Sequence, residues 1–509
     1  MKKRIYPFFT LSLLILLSSC ASILNGKKQD VLLKTNTNNA KVYVDNAEQE
    51  NMSRSNITLD RDMETKQIRI EREGYKDQYE VAIQYKKSPW YIMSIVPFGI
   101  LFYPITNDIA ANSWDYPKEL KITGYQKIPK NPDTANEILV RKTSFNVNKD
   151  DVTNNLINPN RYFKKGEVKV NKTEKSEVDL KAKNTVFSKA IYDILKDASY
   201  IDTTSTVIKN RAKLVNISAD VKKMNVYSTY FYKRGHQPKA HFLELDVEWK
   251  LEDVYKKEIY KTVVSGKSGN FAGFFGEEKA KKSIKDAIEN SLIKLLEKES
   301  FKELMNNPVY KDKSFDELDI NKLKAAKRPQ NLDQAMKASC TIENDDGHGS
   351  GFFIGNDGYV LTNYHVVADQ DKINIIDDQG NKHYAEIKRV SKMRDLALLK
   401  VNHQPEYSFS VSGKEDFKRG SEVYAVGTPT SVQLGQSLSK GIISGVRNED
   451  GVEYIQIDAS INPGNSGGPL INKNAELIGV INAKVKGIGL EGLGFAIPQK
   501  FIKEALELK

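Results

Sequence analysis

Alternation of hydrophobic and polar residues predicts short strands in the first part of the chain. Between residues 30 and 87 apolar side chains recur at every second position, as in 41–44 (KVYV) and 67–71 (QIRIE). A period of two is typical of strands that bury one face and expose the other. We therefore predict a small β module over residues 30–87.

The pattern changes between residues 135 and 305, where helical spacing encloses strand-like alternation. Apolar residues follow a period of about 3.6 over 186–198 and 277–296. Between these two segments, residues 213–221 and 243–251 alternate strictly. A helix, a run of antiparallel strands and a closing helix predict an α+β domain over 135–305.

Residues 306–334 contain prolines and many charges and are interpreted as a linker, after which short strands and turns resume. In 349–367 (GSGFFIGNDGYVLTNYHVV) an Asn-Asp-Gly turn separates two apolar runs and predicts a β-hairpin. The spacing of strands and turns over 335–509 favours β-barrels over βαβ units. The predicted fold is therefore multidomain: a small β module, an α+β domain and an all-β domain.

One apolar stretch, residues 88–108, does not fit these patterns. It contains Pro89, Pro97 and Pro104, which would break a straight helix, and its uncharged run barely reaches the length that a bilayer requires. Three interpretations stay open: a membrane span, a hairpin at the membrane interface, or a loop packed on the neighbouring module.

The N-terminus has the features of an export signal. Basic residues at positions 2–4 precede an apolar run that is too short to span a membrane, and the run ends at Leu-Ser-Ser-Cys. Small residues before a cysteine resemble a bacterial lipobox, which implies that residues 1–19 are removed and that Cys20 is lipidated. We expect a lipid-anchored protein of the bacterial cell envelope that faces the periplasm or the exterior.

Charge and cysteine content narrow the range of partners. The chain has 77 Lys and Arg against 66 Asp and Glu, a net charge of +11, and the lysines are dispersed without interleaved aromatic residues. This distribution argues against nucleic acid as a partner. Only Cys340 remains beside Cys20, and it is interpreted as a buried core residue. His236 and His241 lack acidic or cysteine neighbours at ligand spacing, so neither a metal nor a cofactor is expected.

The candidate chemistry centres on Ser466 in the segment 461–470 (INPGNSGGPL). This segment matches G-x-S-x-G, but all six histidines precede Ser466, which excludes the chain order of an α/β-hydrolase. Ser466 is either a nucleophile activated by an earlier histidine or a small residue in a tight turn. His365 follows a predicted strand, and Asp395 directly precedes another. The order His, Asp, Ser is that of chymotrypsin-like enzymes.

Several blocks in register resemble HtrA/Deg-type trypsin-like serine proteases: 349–367, RDLALLKV, VYAVGTP, GIISGV, IDASINPGNSGGPL and GLGFAIP, over about residues 337–505. The resemblance implies two six-stranded antiparallel barrels with the active site between them. It implies His365 as general base, Asp395 as the carboxylate that orients it, and Ser466 as nucleophile. The segments 40–46 (AKVYVDN) and 72–75 (REGY) resemble PEGA-type β modules, which implies a spacer without chemistry.

The same resemblance implies how substrate is held. Backbone N–H groups of Gly464 and Ser466 would form the oxyanion hole, and each such donor is typically worth about 2.7–4 kcal/mol in the transition state. Ser460, Ile461 and Ile481 would line the specificity pocket. Because Ser460 stands where an acidic residue would be needed to bind Lys or Arg, we expect cleavage after small or medium aliphatic residues.

Two functions are consistent with the sequence. The first is a lipid-anchored serine endopeptidase that cleaves misfolded or exposed polypeptides through an acyl-enzyme. The alternative is an envelope assembly or scaffold lipoprotein whose protease domain mainly binds polypeptide. The resemblance also allows a homo-oligomer. Relatives of this type usually carry PDZ domains after the protease, and the sequence after the last matching block indicates only a short closing helix.

Overall fold

The computed structural model describes the chain from residue 26 to 509 with several internal gaps. Not described are residues 1–25, 36–39, 50–55, 85, 88–113, 123–125, 133, 146–151, 158–169, 176–183, 202–212, 231–238, 274, 276, 308–317, 321–326, 346, 369, 371, 414–416, 429–435, 450–451 and 483–492. The signal segment, Cys20, His236 and the apolar residues 88–108 thus lie outside the described residues. Among the helices that are described, none is long and apolar enough to cross a membrane.

The first described unit packs two small sheets on each other. Its strands are β1 (Lys28–Thr35), β2 (Lys41–Val44), β3 (Ala47–Glu48), β4 (Asn56–Asp60), β5 (Lys66–Glu71), β6 (Gln78–Ala82), β7 (Lys86–Lys87), β8 (Trp114–Asp115) and β9 (Glu119–Ile122). One sheet has the order β4-β1-β9, the other β3-β2-β5-β6, and β7 pairs with β8. The predicted alternation buries Val42 and Val44 opposite Ile57 and Leu59 in one core. Because β9 pairs with β1, this unit includes residues beyond the predicted end at 87.

The middle domain is a seven-stranded sheet with helices on one face. Its elements are β10 (Glu137–Phe145), β11 (Val152–Ile157), β12 (Val170–Lys175), α1 (Asn184–Asp197), β13 (Leu214–Tyr230), β14 (Lys239–Asp253), β15 (Glu258–Lys267), β16 (Phe271–Ala272), α2 (Glu277–Glu297) and α3 (Glu299–Asn306). The predicted inward residues of β13 and β14 pack with the apolar faces of α1 and α2 in one cluster.

The antiparallel run predicted between the two helices is confirmed, and the domain has additional parallel strands before the first helix. β13 pairs antiparallel with β14, but β10 and β11 both pair with β13 in parallel. A long crossover separates each of these strands from β13, and it includes α1 (Asn184–Asp197). Such a crossover is what parallel pairing requires, whereas adjacent hairpin strands run antiparallel. The domain remains a mixed α/β layer, as the periodicity indicated.

The C-terminal region contains the two barrels that were predicted. The first has β17 (Ser339–Asn344), β18 (Gly347–Ile354), β19 (Tyr359–Thr362), β20 (Ile373–Ile376), β21 (Lys382–Ser391) and β22 (Leu396–Val401). The second has β23 (Glu422–Gly427), β24 (Ser437–Glu449), β25 (Val452–Ile457), β26 (Pro469–Asn472), β27 (Leu477–Ile481) and β28 (Gly494–Pro498). Both barrels close with six antiparallel strands. Short helices α4 (Leu332–Lys337), α5 (Tyr364–Val367) and α6 (Ile502–Ala505) and a 3₁₀ turn (Gln499–Phe501) complete the region.

A shared apolar cluster joins the two barrels and so fixes the cleft between them. It contains Phe352 and Leu398 of the first barrel together with Val480 and Phe495 of the second. Each barrel also has an interior cluster of its own, and Cys340 is buried in that of the first, as predicted. Burial raises the pKa of the Cys340 thiol, which keeps it protonated and unreactive.

Part of the predicted linker lies against the protease region. Leu318 forms a parallel bridge with Leu508, and the backbone N–H of Ile320 donates to the carbonyl of Lys509 at 3.1 Å. Lys327 forms a second bridge with Tyr407. These contacts tie Leu318 and Ile320 to the last residues of the chain and Lys327 to the segment after the first barrel.

Candidate active site

His365 and Asp395 form a hydrogen-bonded pair at the edge of the first barrel. His365 lies in the one-turn helix α5 just after β19, and Asp395 immediately precedes β22. His365 Nδ1 donates to Asp395 Oδ2 at 2.7 Å, and the backbone N–H of His365 donates to Asp395 Oδ1 at 2.9 Å. Two bonds to one residue fix both the position and the ring orientation of the histidine. The tautomer that donates from Nδ1 leaves Nε2 as an acceptor.

Asp395 is itself held rigidly and away from water. Its side chain is 1% exposed, and its backbone adopts φ +55°, a conformation in which Asp and Asn are enriched. Its carbonyl accepts from the backbone of Tyr364 at 3.1 Å and from Nδ2 of Asn363 at 3.0 Å. Asn482 Nδ2 donates to Asp395 Oδ2 at 3.2 Å. Three donors therefore face the two carboxylate oxygens, an arrangement that favours the ionised acid.

Ser466 lies in a buried, glycine-rich loop that packs on the segment preceding His365. Ser466 is 7% exposed, and its carbonyl accepts from the backbone N–H of Ser350 at 2.8 Å. At Gly467, with φ +87°, a Cβ would lie only 2.2 Å from Thr362 Oγ1 and 2.9 Å from the backbone nitrogen of Asn363. Only glycine permits so close an approach. The glycine next to Ser466 thus brings the serine loop against residues just before the histidine.

The proposed oxyanion loop is braced from the other barrel by residues that the sequence did not single out. Ser350 Oγ donates to the carbonyl of Gly464 at 2.7 Å and accepts from the backbone N–H of Thr428 at 2.9 Å. Gly464 has φ +101°, and a Cβ there would lie 2.2 Å from the carbonyl oxygen of Thr428. Glycine is therefore required at this position by backbone conformation and by packing.

The Gly-Ser-Gly sequence that follows His348 favours a solvated loop for this histidine, but the structure places it on a strand and half-buried. His348 lies on β18, and its Nε2 is 3.0 Å from the carbonyl oxygen of Thr428 in the second barrel. A Cβ at Gly464 would lie 2.7 Å from the same nitrogen. The second barrel thus covers part of His348.

The residues predicted for the specificity pocket lie around one apolar cluster of the second barrel. Ile481 is fully buried in this cluster, and half-buried Ile461 packs against it. A Cβ at Gly494 would lie 2.6 Å from Ile461 Cγ1. Ser460 is exposed and lies three residues after the end of β25. The nearby carboxylate of Asp458 accepts from the backbone of Ile442 at 2.6 Å.

One group within the described residues brings potential metal ligands together, on the first barrel. Ligand atoms of Asp377, His383 and His403 lie within 4.8 Å of one another. Asp377 Oδ1 accepts from the backbones of Gln379 and Asn381, while Oδ2 accepts from Asn381 and from His383 Nε2 at 2.9 Å. Burial would raise the pKa of Asp377, but these bonds outweigh burial and lower it. The group therefore serves as a brace for the turn between β20 and β21.

Comparisons with known proteins find relatives of part of this chain. A family model described as a trypsin-like peptidase domain matches residues 349–480. A probable periplasmic serine endoprotease, DegP-like, of Chlamydia trachomatis is 38% identical over 171 residues, which cover 32% of this chain and 34% of the relative. Serine protease HTRA4 of Mus musculus is 38% identical over 169 residues, 31% of this chain and 34% of the relative. The chain thus spans about a third of the length of these curated relatives.

Two solved structures are also similar to part of the chain. The serine endoprotease of Yersinia pestis is 32% identical and matches 35% of this chain and 66% of that chain, with a TM-score of 0.30. The HtrA-type protease AlgW with tripeptide is 32% identical over 34% of this chain and 60% of that chain, with a TM-score of 0.31. The family model and the curated relatives show that the C-terminal region is a trypsin-like peptidase domain with HtrA/DegP-type relatives, as the sequence blocks indicated.

Proposed function

We propose that this protein is a serine endopeptidase of the bacterial cell envelope, with His365, Asp395 and Ser466 as its catalytic residues. The observation that carries the proposal is the buried His365–Asp395 pair, whose Nδ1 to Oδ2 distance is 2.7 Å. A serine hydroxyl is a poor nucleophile near neutral pH, so it needs an imidazole that accepts its proton. The donated hydrogen bond from Nδ1 leaves Nε2 of His365 in the required acceptor form.

The reaction follows from these roles. Ser466 Oγ attacks the scissile carbonyl carbon while His365 Nε2 takes its proton, and Asp395 stabilises the imidazolium that results. The tetrahedral oxyanion would be bound by the backbone N–H groups of Gly464 and Ser466. His365 then protonates the departing amine, and a water molecule hydrolyses the acyl-enzyme by the same steps.

The pocket residues support a preference for aliphatic side chains. Ile461 and Ile481 share one apolar cluster, and no acidic group replaces the hydroxyl at Ser460. A Lys or Arg side chain of the substrate would therefore find no counter-charge at position 460. We infer cleavage after Val, Ala, Ile or Leu. Such residues are exposed in chains whose packing has failed, so misfolded or exposed envelope polypeptides are the proposed substrates.

Location follows from the N-terminal sequence, with support from relatives. The DegP-like proteins of Chlamydia trachomatis and Pseudomonas putida are named as periplasmic. Lipidation of Cys20 would hold the mature chain at a membrane surface while the protease remains in the envelope space. Membrane attachment through the lipid belongs to this proposal.

The decisive experiment is labelling of the purified full chain by a fluorophosphonate probe. We expect labelling at Ser466 and no labelling in Ser466→Ala, together with loss of peptide hydrolysis at unchanged thermal stability. Ser439→Ala is the matched control, because Ser439 lies on β24 of the same barrel and is half-buried. It should retain both labelling and hydrolysis.

Labelling that persists in Ser466→Ala would contradict the assignment. An intact, folded chain that neither reacts with the probe nor hydrolyses denatured protein would instead favour the second function, an assembly or scaffold lipoprotein that binds polypeptide.

A further inference from the structure

A turn of the middle domain contacts both segments that carry the catalytic pair. Residues 254–257 connect β14 to β15, and we call them the hairpin tip. Tyr255 in this tip is only 5% exposed, and its hydroxyl donates to the carbonyl oxygen of Lys392 at 2.7 Å. Its ring meets that of Tyr364 edge-on, with centroids 4.6 Å apart. Tyr364 directly precedes His365, and Lys392 lies in the turn that ends at Asp395.

The hairpin tip is rigid because Asp253 organises it. Asp253 is fully buried, and its Oδ1 accepts from the backbone N–H groups of Tyr255 at 2.8 Å and of Lys257 at 2.9 Å. Its carbonyl accepts from Asn216 Nδ2 at 2.9 Å, which anchors the tip to β13. A tyrosine held in this way has little freedom left to lose when it docks on the protease.

The two catalytic segments are locally weak structures. Helix α5 (Tyr364–Val367) has four residues, and its N-cap Asn363 makes no side-chain cap hydrogen bond. One helical turn is unstable without tertiary packing. The segment that carries Asp395 is a tight turn that ends in a left-handed backbone conformation.

The two catalytic segments are hydrogen-bonded to each other, and Tyr255 of the middle domain contacts both of them. The backbone N–H groups of Tyr364 and His365 donate to the carbonyl and to Oδ1 of Asp395. Tyr255 adds one contact on each side, through its ring to Tyr364 and through its hydroxyl to the main chain of Lys392. Val254 and Ala368 complete the small apolar cluster around it.

We propose that Tyr255 is a positioning residue for the protease, through which docking of the middle domain sets the register of His365 and Asp395. Removing the contact should lower activity without any loss of a group that touches substrate. Misplacement of catalytic groups by about 1 Å can lower the catalytic rate on the order of a hundredfold. Since loss of the Tyr255 contact should loosen these groups only partly, we expect the rate to fall by roughly threefold to a hundredfold. The inference rests on the proposed endopeptidase function.

The test compares Tyr255→Phe, Tyr255→Ala and a matched control in the full chain. Tyr255→Phe keeps the ring contact and loses the hydrogen bond, whereas Tyr255→Ala loses both. The control is Tyr260→Phe, which removes a tyrosine hydrogen bond to Ser300 Oγ of 3.0 Å within the same domain and away from the protease. We expect kcat to be unchanged in Tyr260→Phe. It should fall by roughly threefold in Tyr255→Phe and by roughly ten- to a hundredfold in Tyr255→Ala. KM should change little, because Tyr255 is not assigned a substrate contact.

Two further measurements separate positioning from a purely structural role. The pH at which kcat/KM is half-maximal should shift in Tyr255→Ala, because the surroundings of His365 change, and should not shift in Tyr260→Phe. Amide hydrogen exchange at Tyr364 and His365 should be faster in Tyr255→Ala, since their acceptors are on Asp395. Exchange needs no catalysis, so it still tests the contact if Ser466 proves unreactive.

Equal kcat in all three variants, with unchanged exchange at Tyr364 and His365, would overturn the proposal. A lower melting temperature with normal kcat would do so as well, because Tyr255 would then only stabilise the fold.

Discussion

Substitution of Asp395 by Asn is the sharpest test of the proposed catalytic pair. Asparagine tolerates the φ of +55° at this position, so the backbone should be retained. All three groups that face the carboxylate are donors: the backbone N–H and Nδ1 of His365, and Nδ2 of Asn482. An asparagine has one acceptor oxygen and one NH₂ group. Because donors face both oxygens of the carboxylate, the NH₂ group of the asparagine must face at least one of these donors.

The geometry predicts which orientation wins. The backbone N–H of His365 is fixed, so the asparagine oxygen should stay where Oδ1 was and its NH₂ should face His365 Nδ1. The imidazole can respond by moving its proton to Nε2, and the Asn482 amide can rotate to present its oxygen. Both hydrogens of the new NH₂ group then have acceptors, but Nε2 carries a proton and cannot accept one from Ser466.

The expected result is a folded enzyme with kcat/KM lower by about 10⁴, the loss seen for this change in the general Ser-His-Asp template and equal to roughly 5.4 kcal/mol. Peptide hydrolysis near neutral pH measures the rate, and nitrogen chemical shifts of the His365 ring measure the tautomer directly. Asp377→Asn is the matched control, because Asp377 is also a buried aspartate bonded to a histidine in the same barrel. It should cost stability and leave kcat/KM unchanged.

If Asp395→Asn retains activity within tenfold of the parent, another carboxylate orients His365 and the assignment of Asp395 is wrong. If activity is lost while the Nδ1 proton stays in place, the tautomer is not the cause of the loss.

Three other predictions test the pocket, the anchor and the middle domain. Ser460→Asp should raise cleavage after Lys or Arg relative to cleavage after Val by only about tenfold, because the site is exposed. Cleavage profiling on denatured protein would measure this ratio, and an unchanged profile would show that Ser460 is outside the pocket. Cys20→Ser should release the protein from membranes, and unchanged sedimentation would mean that residues 88–108 hold it there. Burial lowers the pKa of His241 to about 4, so charging it favours unfolding: stability should fall by up to about 3 kcal/mol as the pH drops from about 6.5 to 4. Urea unfolding of His241→Gln should lack this component, and an identical pH profile would contradict the assignment.

The fold of the C-terminal region and the positions of its candidate catalytic residues could be predicted because their signals are local. A histidine after a strand, an aspartate before a strand and a serine among glycines each stand in a short stretch of sequence. Strand alternation also located the cores of the other two units. The parallel pairing of β10 and β11 could not be seen, because alternation reports which face is buried and not the direction of the partner.

The residues missed by sequence reasoning act through contacts between distant segments. Asn482 is separated from Asp395 by 87 positions, His348 from Thr428 by 80, and Tyr255 from Lys392 by 137. None of them stands in a pattern of its own, and the glycines around His348 suggested a solvated loop. Ser350 offered the clearest missed signal, since it lies between two glycines in the block that leads to His365.

The contacts between units suggest why the modules before the protease are more than a spacer. Lys76 of the first unit forms a buried ion pair with Asp286 of helix α2, and the backbone of Gly269 donates to the same carboxylate at 2.7 Å. Breaking such a pair by removing one partner typically costs about 3–5 kcal/mol, because it leaves an uncompensated buried charge. Gln67 adds hydrogen bonds of 3.0 Å to the carbonyl of Asn270 and 2.9 Å from the backbone of Ala272.

The first unit is therefore bound to the middle domain by buried polar contacts, and the middle domain reaches the catalytic segments through Tyr255. These two interfaces differ in kind. The Lys76–Asp286 interface is charged and buried, so it should open only at a large cost in free energy. At the Tyr255 interface, the aromatic contact and the hydrogen bond each contribute a net stabilisation of about 1 kcal/mol. If one of these interfaces opens within the folded chain, it should be the one at the hairpin tip, because its contacts contribute less free energy. Its opening would loosen the His365–Asp395 pair.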